Sequence, residues 1–471
     1  GIRVEILDCM PLKIGWQTLG KKIREICPKI VCAGENHALF SGEVVKLFKL
    51  VKQISKKIIT IAGGSHFSFL ADHYLLTHPE IDYIVRGEGE ESLFELCSTL
   101  LNGEDKIEQI KGIIFRDQQK QKIVTTNPRP LIKNLDDLPI PAYDLLPVNR
   151  YGKSNFLFAS QGSTIHHSRG CTSSCNFCGF WLQMADIKYK DNGDYELKPR
   201  WRTKSPERTL EEICYLVKNY KRHFLVWVDD TFNTDPKWSD SFSDLVLKSG
   251  IKTKWYCFMR ADYILRDEKL GVMEKLVKAG LIHISIGAER ALDSDFKSLK
   301  KQFYSNEILR ECLELLRKKY PQLFIQTTFI TGLRNDTRET FAEILKFAKQ
   351  LKPDYAGFHP IMPIPGTELW KEMKSKGYIE IDDFNLYDLT TPIISTEYLT
   401  RDEVEELTYE ITKKYISLPW FIRGLLGGKY KRRMYIWWLL VSIRIALINL
   451  LRLKLPFNEY YNLIYPKWYW K

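Results

Sequence analysis

The chain has 471 residues, 44% of them hydrophobic and 27% charged, which allows large buried cores and excludes an intrinsically disordered protein. This length predicts two or three domains. The net charge is +12, and ten basic residues with no acidic one lie between positions 411 and 458. The charge excess therefore belongs to one carboxyl-terminal segment, which favours an anionic membrane surface over nucleic acid as the partner.

Residues 1–126 alternate short apolar runs with helical patterns. Strands are predicted at Arg3–Leu7, Lys29–Ala33, Ile58–Ala62 and Tyr83–Arg86, with a helix at Glu43–Ile54. This order is typical of βαβ units and predicts a Rossmann-like α/β domain with a parallel, doubly wound sheet. Ligands of such sheets bind beyond the carboxyl ends of the strands.

Segment 127–160 contains five prolines and no periodic pattern, which predicts a linker on the surface. A second alternation covers residues 161–385. Its predicted strands are Thr164–Ser168, Phe224–Val228, Lys254–Phe258, Ile282–Ile286, Phe324–Ile330 and Tyr355–His359. Six β/α units predict a full or partial parallel barrel with its chemistry at the carboxyl ends of the strands. Residues 386–471 are predicted to be helical.

Three of the ten cysteines stand together, just after the first predicted strand of the barrel. Cys171, Cys175 and Cys178 are separated by three and by two residues. Thiolates at this spacing can hold an iron–sulfur cluster, and three ligands would leave one iron open for chemistry. A zinc site and three unrelated thiols are the alternatives; the nearby His166 and His167 lie within the predicted strand. No secretory signal opens the chain, which indicates a reducing cytoplasm.

This motif resembles the signature of the radical S-adenosylmethionine (SAM) enzymes. In that family the three cysteines hold a [4Fe–4S] cluster, SAM chelates the fourth iron, and reductive cleavage gives a 5′-deoxyadenosyl radical. The resemblance implies that Cys171, Cys175 and Cys178 are the cluster ligands. It also implies that Phe177, the aromatic residue before the last cysteine, packs near the adenine of SAM.

Further residues match the family's SAM contacts in the same order along the predicted strands. Asp229 and Asp230 replace the commoner Gly-Gly-Glu segment that contacts the methionyl amine. Arg260 matches a contact of the SAM carboxylate, Glu289 a contact of the ribose, and Gly332 a loop after the fifth strand. Each residue alone fits a helix cap or turn equally well, but their order on a β/α repeat favours a SAM site.

The first domain resembles the cobalamin-binding domain that precedes the barrel in the B12-dependent branch of the family. The implied cobalamin contacts are Gly63, Gly64, His66, Gly87, Glu88 and Gly89. Glycines let the backbone approach a large flat ligand, whereas His66 could equally stabilise a turn. The chain departs from the pattern in lacking an Asp-x-His-x-x-Gly motif for a lower axial ligand, and it aligns without the family's opening strand and helix. Some relatives keep this domain without cobalamin.

The segment Met434–Leu451 is almost wholly apolar, with a basic cluster before it and aromatic residues up to position 470 after it. Eighteen residues with Arg444 near the middle are marginal for a transmembrane span. We expect a helix at the cytoplasmic membrane surface, with aromatic rings at headgroup level and basic groups on anionic lipid. A buried helix and an oligomer contact are the alternatives.

The sequence therefore predicts a cytoplasmic, peripherally membrane-associated, cobalamin-dependent radical SAM enzyme. We expect C-methylation of an unactivated carbon in an apolar small molecule or membrane lipid, under anaerobic conditions and with an external electron donor such as flavodoxin or ferredoxin. Cyclisation or carbon–carbon bond formation without methyl transfer is the alternative within the family. A membrane-docked iron–sulfur electron-transfer or binding protein is the alternative outside it.

Overall fold

The computed structural model describes residues 1–117, 122–151, 162–189, 195–301 and 303–450. A five-stranded sheet forms the amino-terminal domain. Its strands, in spatial order, are β1 (Ile30–Gly34), β2 (Ile59–Gly63), β3 (Tyr83–Val85), β4 (Ile113–Asp117) and β5 (Lys122–Thr125). Its helices are α1 (Cys9–Leu12), α2 (Trp16–Ile26), α3 (Ser41–Ile54), α4 (Ser65–Phe69), α5 (Ala71–Thr77) and α6 (Gly89–Asn102). The predicted strands at β1, β2 and β3 are confirmed to within one residue.

Helices cover both faces of this sheet, as the prediction of a doubly wound domain requires. Phe48 of α3 and Phe67 of α4 pack with Ile84 on one face, whereas Leu96 of α6 packs with Ile113 on the other. All five side chains are fully buried. The two apolar faces fix the register of the central strands, because a shift by one residue would exchange them.

Two features of the first domain differ from the prediction. Residues 1–8 form no strand, and Ile2, Val4 and Ile6 stay at least 39% exposed because β1 ends the described sheet without a partner on its outer side. The sheet is also not wholly parallel. The connection after α6 returns the chain to the carboxyl end of β3, where Gly112 accepts a hydrogen bond from the Arg86 backbone, so β4 and β5 run antiparallel.

The described part of the proline-rich segment packs on the barrel. It contains short 3-10 turns at Leu135–Asp137, Tyr143–Leu145 and Val148–Arg150. Leu135 and Val148 are buried, and the Tyr143 hydroxyl donates to the Glu212 carboxylate at 2.7 Å. The remainder of the predicted linker, residues 152–160, lies outside the described residues.

A six-stranded parallel sheet forms the second domain. Its strands are β6 (Gly162–Ile165), β11 (Phe224–Trp227), β12 (Lys254–Phe258), β13 (Leu281–Glu289), β14 (Phe324–Thr331) and β15 (Tyr355–Pro360). Between β6 and β11 the chain forms four short strands outside this sheet: β7 (Ser168–Gly170), β8 (Asp186–Tyr189), β9 (Tyr195–Lys198) and β10 (Trp201–Thr203). The large sheet has the order β6-β11-β12-β13-β14-β15, and within the described chain its two outer strands do not pair. This is a partial barrel, as predicted. Strands β7 and β10 form a separate antiparallel ribbon, and β8 and β9 form a hairpin.

Helices alternate with the barrel strands and cover their outer side. They are α7 (Phe180–Gln183), α8 (Pro206–Tyr220), α9 (Pro236–Ser249), α10 (Ala261–Lys269), α11 (Val272–Lys278), α12 (Asp293–Ser298), α13 (Asn306–Lys319), α14 (Arg338–Leu351) and α15 (Glu368–Ser375). Leu216, Leu276, Leu313 and Ile344 of these helices are fully buried against the sheet in one continuous core. The carboxyl ends of the strands are left to the loops, as in other parallel barrels.

Three helices follow the barrel: α16 (Arg401–Tyr415), α17 (Leu418–Leu425) and α18 (Lys429–Leu450). The start of α18 docks at the amino ends of the strands, where Lys431 and the buried Tyr435 both contact Asp354, just before β15. Gly424 of α17 allows this crossing, since a Cβ there would lie 2.0 Å from the Tyr435 ring. No helix in the described ranges is both long and apolar enough to cross a membrane. The predicted aromatic residues after position 450 lie outside those ranges.

Candidate active site

The cysteine loop leaves the ribbon strand β7 and lies across the carboxyl ends of the barrel strands. Asn176 anchors it there, donating its backbone N–H to Leu299 O at 3.2 Å and its side-chain Nδ2 to Ser298 O at 2.9 Å. The backbone N–H of Leu369 donates in turn to Asn176 O at 3.0 Å. The loop is therefore tied to the segments that follow β13 and β15, and it presents its thiols where a parallel barrel has its active site.

The three thiols suit an iron–sulfur cluster, whose irons bind thiolate ligands. Burial raises the pKa of Cys175 to about 11 and that of Cys178 to about 12, so iron binding must displace their protons. Lys301 and Arg260 lie near enough to Cys175 to oppose this rise. In the described residues no three His, Cys, Asp or Glu side chains converge on one ion. A [4Fe–4S] cluster needs no such convergence, because each cysteine binds a different iron.

The two aspartates after β11 have different surroundings. Asp229 is buried, and its Oδ1 accepts hydrogen bonds from the Ser168 N–H at 2.6 Å and the His167 N–H at 3.1 Å. Its Oδ1 also lies 2.8 Å from Nδ1 of His167, whose ring stacks on Trp238. Burial opposes ionisation, but these partners hold the pKa of Asp229 below its ordinary value. Asp229 therefore fixes the strands beneath the cysteine loop, and it does not share the surroundings of Asp230, with which it was predicted to contact SAM.

Asp230 has the opposite environment. Its carboxylate makes no hydrogen bond or ion pair within the described chain, and burial together with the charge of Asp229 raises its pKa to about 7. Its charge also acts on Cys178, which places it beside the cysteine loop. A carboxylate left without a partner at this position can accept hydrogen bonds from a ligand ammonium group.

Arg260 and Glu289 also lie beside the cysteine loop. Arg260 is held by Asp262 through two contacts of 3.0 and 2.9 Å, and its Nη1 donates to Ser173 Oγ of the loop at 2.9 Å. Glu289 has φ of 59° and forms an ion pair of 2.7 Å with Lys301. A left-handed backbone at a residue with a Cβ costs about 1–2 kcal/mol, and such strain is concentrated at functional sites.

Two of the predicted SAM residues have packing roles in the structure. Phe177 packs among Leu299, Ile361 and Leu369 in a small apolar cluster at the strand ends. Gly332 has φ of 72°, and a Cβ there would lie 2.8 Å from Val404 of α16. Helix packing therefore explains the glycine, and Gly332 lacks the contact with the cysteine loop that Arg260 has.

A cavity of about 1220 Å³ lies beyond the carboxyl ends of β1, β2 and β3. It is lined by five of the six residues predicted to contact cobalamin: Gly63, Gly64, Gly87, Glu88 and Gly89. Its far wall comes from the barrel side of the molecule, including Arg169, Met184 and Arg202. Gly64 must be glycine, because its φ is 87° and a Cβ would lie 2.4 Å from Glu35 O. The volume and the glycine-rich wall fit a large flat ligand such as cobalamin.

His66, the sixth residue, lies away from this cavity. Its Nε2 is 2.8 Å from the Tyr74 hydroxyl, and its ring contacts Phe67 and Phe384 edge-on. Burial lowers the pKa of His66 to about 4, so the ring is neutral. Because α4 turns this side chain into the core, His66 is not among the residues that line the cavity.

The sequence also matches two known families. Residues 1–96 match the B12 binding domain, and residues 165–348 match the Radical SAM superfamily. The chain is a radical SAM enzyme with a B12-binding domain. The cofactors of these domains are a [4Fe–4S] cluster, SAM and cobalamin, and the electron-transfer alternative is thereby wrong.

This radical SAM enzyme has relatives with named activities. It is 29% identical over 88% of its length to an uncharacterized methyltransferase of Pyrococcus horikoshii, 83% of which is covered. It is 27% identical over 92% of its length to the anaerobic magnesium-protoporphyrin IX monomethyl ester cyclase of Rubrivivax gelatinosus, with 74% of that protein covered. The hopanoid C-3 methylase of Methylococcus capsulatus is 26% identical, with 78% of this chain and 65% of the relative covered.

The fold of the radical SAM enzyme also matches a solved structure. The methyltransferase TsrM of Kitasatospora setae, solved with cobalamin and a [4Fe–4S] cluster, superposes with a TM-score of 0.64. The match covers 89% of this chain and 84% of TsrM at 14% identity. At this identity the likeness confirms the fold: an α/β domain followed by a partial barrel.

Sequence reasoning missed several residues of this site. Lys301 reaches Glu289 from a loop, and Ser173 receives Arg260 from within the cysteine motif itself. Arg169 and Arg202 line the cavity from strands that lie far apart along the chain. Arg169 could have been noticed, because it lies two residues before Cys171. The pairing of β7 with β10 carries no signal in a single sequence.

Proposed function

We propose that the protein is a cobalamin-dependent radical SAM methyltransferase that modifies an unactivated carbon of an apolar substrate. The observation that carries this proposal is the cavity of about 1220 Å³ at the B12-binding domain, which shares Arg169 with the strand that leads into Cys171. When bound, the cluster and SAM supply a radical that removes hydrogen, and cobalamin supplies a methyl group. Radical cyclisation, the activity named for the Rubrivivax relative, is the second candidate.

The residues beside the cysteine loop would bind and orient SAM. We assign cluster binding to Cys171, Cys175 and Cys178. Asp230 would accept hydrogen bonds from the methionyl ammonium, since its carboxylate is half-buried and has no partner in the described chain. Arg260 would attract the methionyl carboxylate, because Asp262 and Ser173 hold its guanidinium against the loop.

Glu289 would accept from the ribose hydroxyls, with Lys301 holding its carboxylate in place. Phe177 would pack near the adenine, with the apolar cluster behind it. For Gly332 we propose no SAM contact, because Val404 already explains it. For cobalamin we propose the cavity glycines Gly63, Gly64, Gly87 and Gly89, which leave the backbone open to the corrin.

The mouth of the barrel supports an apolar substrate. Large apolar side chains are exposed at or beyond the carboxyl ends of its strands: Phe180, Val228, Phe258, Phe303 and Leu389. Exposed apolar groups gathered at one site mark a binding surface. A substrate seated on them would also exclude water from the reacting atoms. The hopanoid C-3 methylase among the relatives acts, by its name, on such a molecule, and we propose a lipid here.

The proposal is tested by anaerobic reconstitution with iron, sulfide, SAM and dithionite. We expect 5′-deoxyadenosine from the wild type and none from Cys178→Ala, with Cys312→Ala as a matched control at a buried core thiol. An intact cluster without 5′-deoxyadenosine would contradict the proposal. Comparing the lipids of a deletion strain and its parent by mass spectrometry then separates the reactions. If the enzyme methylates, the deletion strain lacks a product that is heavier than its precursor by one CH2 unit, because a methyl group has replaced a hydrogen; if it cyclises, the missing product is lighter than its precursor by two hydrogens.

We also propose that the protein binds the cytoplasmic membrane surface through one face of α17 and α18. The supporting side chains are exposed and apolar, with Arg432 beside them: Leu418, Ile422, Leu426, Ile436, Leu440 and Ile443. An apolar helical face with neighbouring basic groups is typical of interfacial binding. Because α18 starts at the amino ends of the strands, this face starts at the end of the barrel opposite its mouth, so a lipid would have to leave the bilayer to react.

Co-sedimentation with vesicles containing anionic lipid tests the membrane proposal. We expect Leu426→Glu with Leu440→Glu to abolish binding, whereas Leu247→Glu, at an exposed position of α9, leaves it unchanged. Truncation after position 419 is a poorer test, because Trp420 and Tyr435 belong to the main core. Wild-type protein that stays in solution would refute the proposal.

An external flavodoxin or ferredoxin is the electron donor that we propose. Either donor should replace dithionite in the 5′-deoxyadenosine assay.

We further propose domain limits at residues 126, 160 and 385. Separate expression of residues 1–126 should give a folded protein with a single cooperative unfolding transition.

A further inference from the structure

A buried ion-pair cluster joins the cobalamin cavity to the ribbon that carries the cysteine loop. Glu88 follows β3, lies just before α6 and is 8% exposed. Its carboxylate accepts from Arg169 at 2.6 Å and from Arg202 at 2.9 and 3.1 Å. It also accepts from the backbone N–H of Ile132 at 2.8 Å. One side chain of the first domain is thus held by the ribbon and by the interdomain segment.

The two arginines face each other across the ribbon. Arg169 of β7 and Arg202 of β10 are direct cross-strand partners, and their side chains are at most 14% exposed. Like charges in this arrangement repel each other. The Glu88 carboxylate contacts both arginines, Glu90 adds a second contact to Arg169, and Arg202 also donates to Ile132 O at 2.6 Å. The ribbon therefore depends on a group from the other domain.

The position of the ribbon along the chain gives this cluster a role. Arg169 stands two residues before Cys171, and Glu88 lies between Gly87 and Gly89, which both line the cavity. We propose that Glu88 is a positioning residue that fixes its own loop in the cavity wall, Gly87–Gly89, against the cysteine loop. It thereby sets the distance between the two cofactors. This inference rests on the proposed function and replaces a direct contact of the Glu88 carboxylate with cobalamin.

The test compares Glu88→Gln with Glu90→Gln in the reconstituted full-length protein. Glu90 is a matched control, because it pairs with Arg169 at 2.6 Å but is exposed and touches only one arginine. Iron content and corrin absorption first establish that both cofactors are bound. The electron-spin relaxation rate of cob(II)alamin beside the reduced cluster then reports their separation.

We expect Glu88→Gln to bind both cofactors but to slow this relaxation about threefold or more, because breaking a buried ion pair frees the two loops. Glu90→Gln should match the wild type. An unchanged rate in Glu88→Gln would overturn the proposal. If that variant does not fold, Arg202→Lys takes its place, since it keeps the charge and loses the second donor, and a wild-type rate in it would be equally decisive.

A measurement without cofactors separates this inference from the proposed function. Trypsin should cleave the segment between the domains about tenfold faster in Glu88→Gln than in Glu90→Gln, because loss of the Glu88 ion pairs exposes that segment to the protease. Wild-type protein that binds no corrin would refute the proposed function but leave this difference in place. Equal cleavage rates in the two variants would refute the positioning role of Glu88, whether or not the protein binds cobalamin.

Discussion

Gly170 offers a sharp test of how the cysteine loop is built. It precedes Cys171, pairs with Trp201 in the ribbon and has φ of 84°. A Cβ at this position would lie 1.9 Å from Arg200 O and 3.0 Å from Cβ of Met184. Because backbone atoms cannot rotate away as a flexible side chain can, Gly170→Ala must push β10 from β7.

The expected destabilisation combines two effects. The left-handed backbone costs alanine about 1–2 kcal/mol, and overpacking adds about 1–3 kcal/mol. The matched control is Gly250→Ala, since Gly250 has φ of 69° and nothing lies within 4 Å of the added Cβ. The control should therefore lose about 1–2 kcal/mol, from the backbone alone.

Urea unfolding and iron content provide the assay. We expect Gly170→Ala to lose about 2–5 kcal/mol of unfolding free energy, and to bind less iron after reconstitution because Cys171 is displaced. Gly250→Ala should bind iron as the wild type does. Equal unfolding free energies for the two variants, with full iron binding in both, would refute the reasoning.

Two further predictions concern charged groups. Asp229→Asn should lower the unfolding free energy by about 3 kcal/mol, because it breaks a buried pair, whereas Asp230→Asn should keep it and weaken SAM binding about tenfold or more in equilibrium dialysis. Equal SAM affinities in Asp230→Asn and the wild type would contradict that role. The pKa of His66 falls from 6.5 to about 4 on folding, so the unfolded chain binds more protons and up to about 3 kcal/mol of stability is lost as the pH falls from 6.5 to 4. His66→Gln should lose less over this range, and identical pH profiles in acid unfolding would disprove it.

The sequence by itself determined the order of the elements and the chemistry of the cysteine loop. Periodic apolar runs placed five of the six barrel strands closely, because a strand buried on both faces reads as an apolar run. The spacing of Cys171, Cys175 and Cys178 indicated a cluster because these ligands are close along the chain. The same reasoning failed at Arg3–Leu7, where the alternating pattern is present but the segment does not pair with the neighbouring edge strand β1.

Only the tertiary structure decided which polar groups remain for the cofactors. Asp229 and Asp230 are adjacent in sequence, yet one is engaged by His167 and Ser168 while the other lacks a partner in the described chain. Glu88 forms ion pairs with arginines that lie more than 80 residues away along the chain. Lys431 of the basic tail forms an ion pair with Asp354 at the amino ends of the barrel strands. The physical reason is the same in each case: whether a charge finds a partner depends on groups that folding brings near from distant parts of the chain, and a single sequence does not reveal those long-range neighbours.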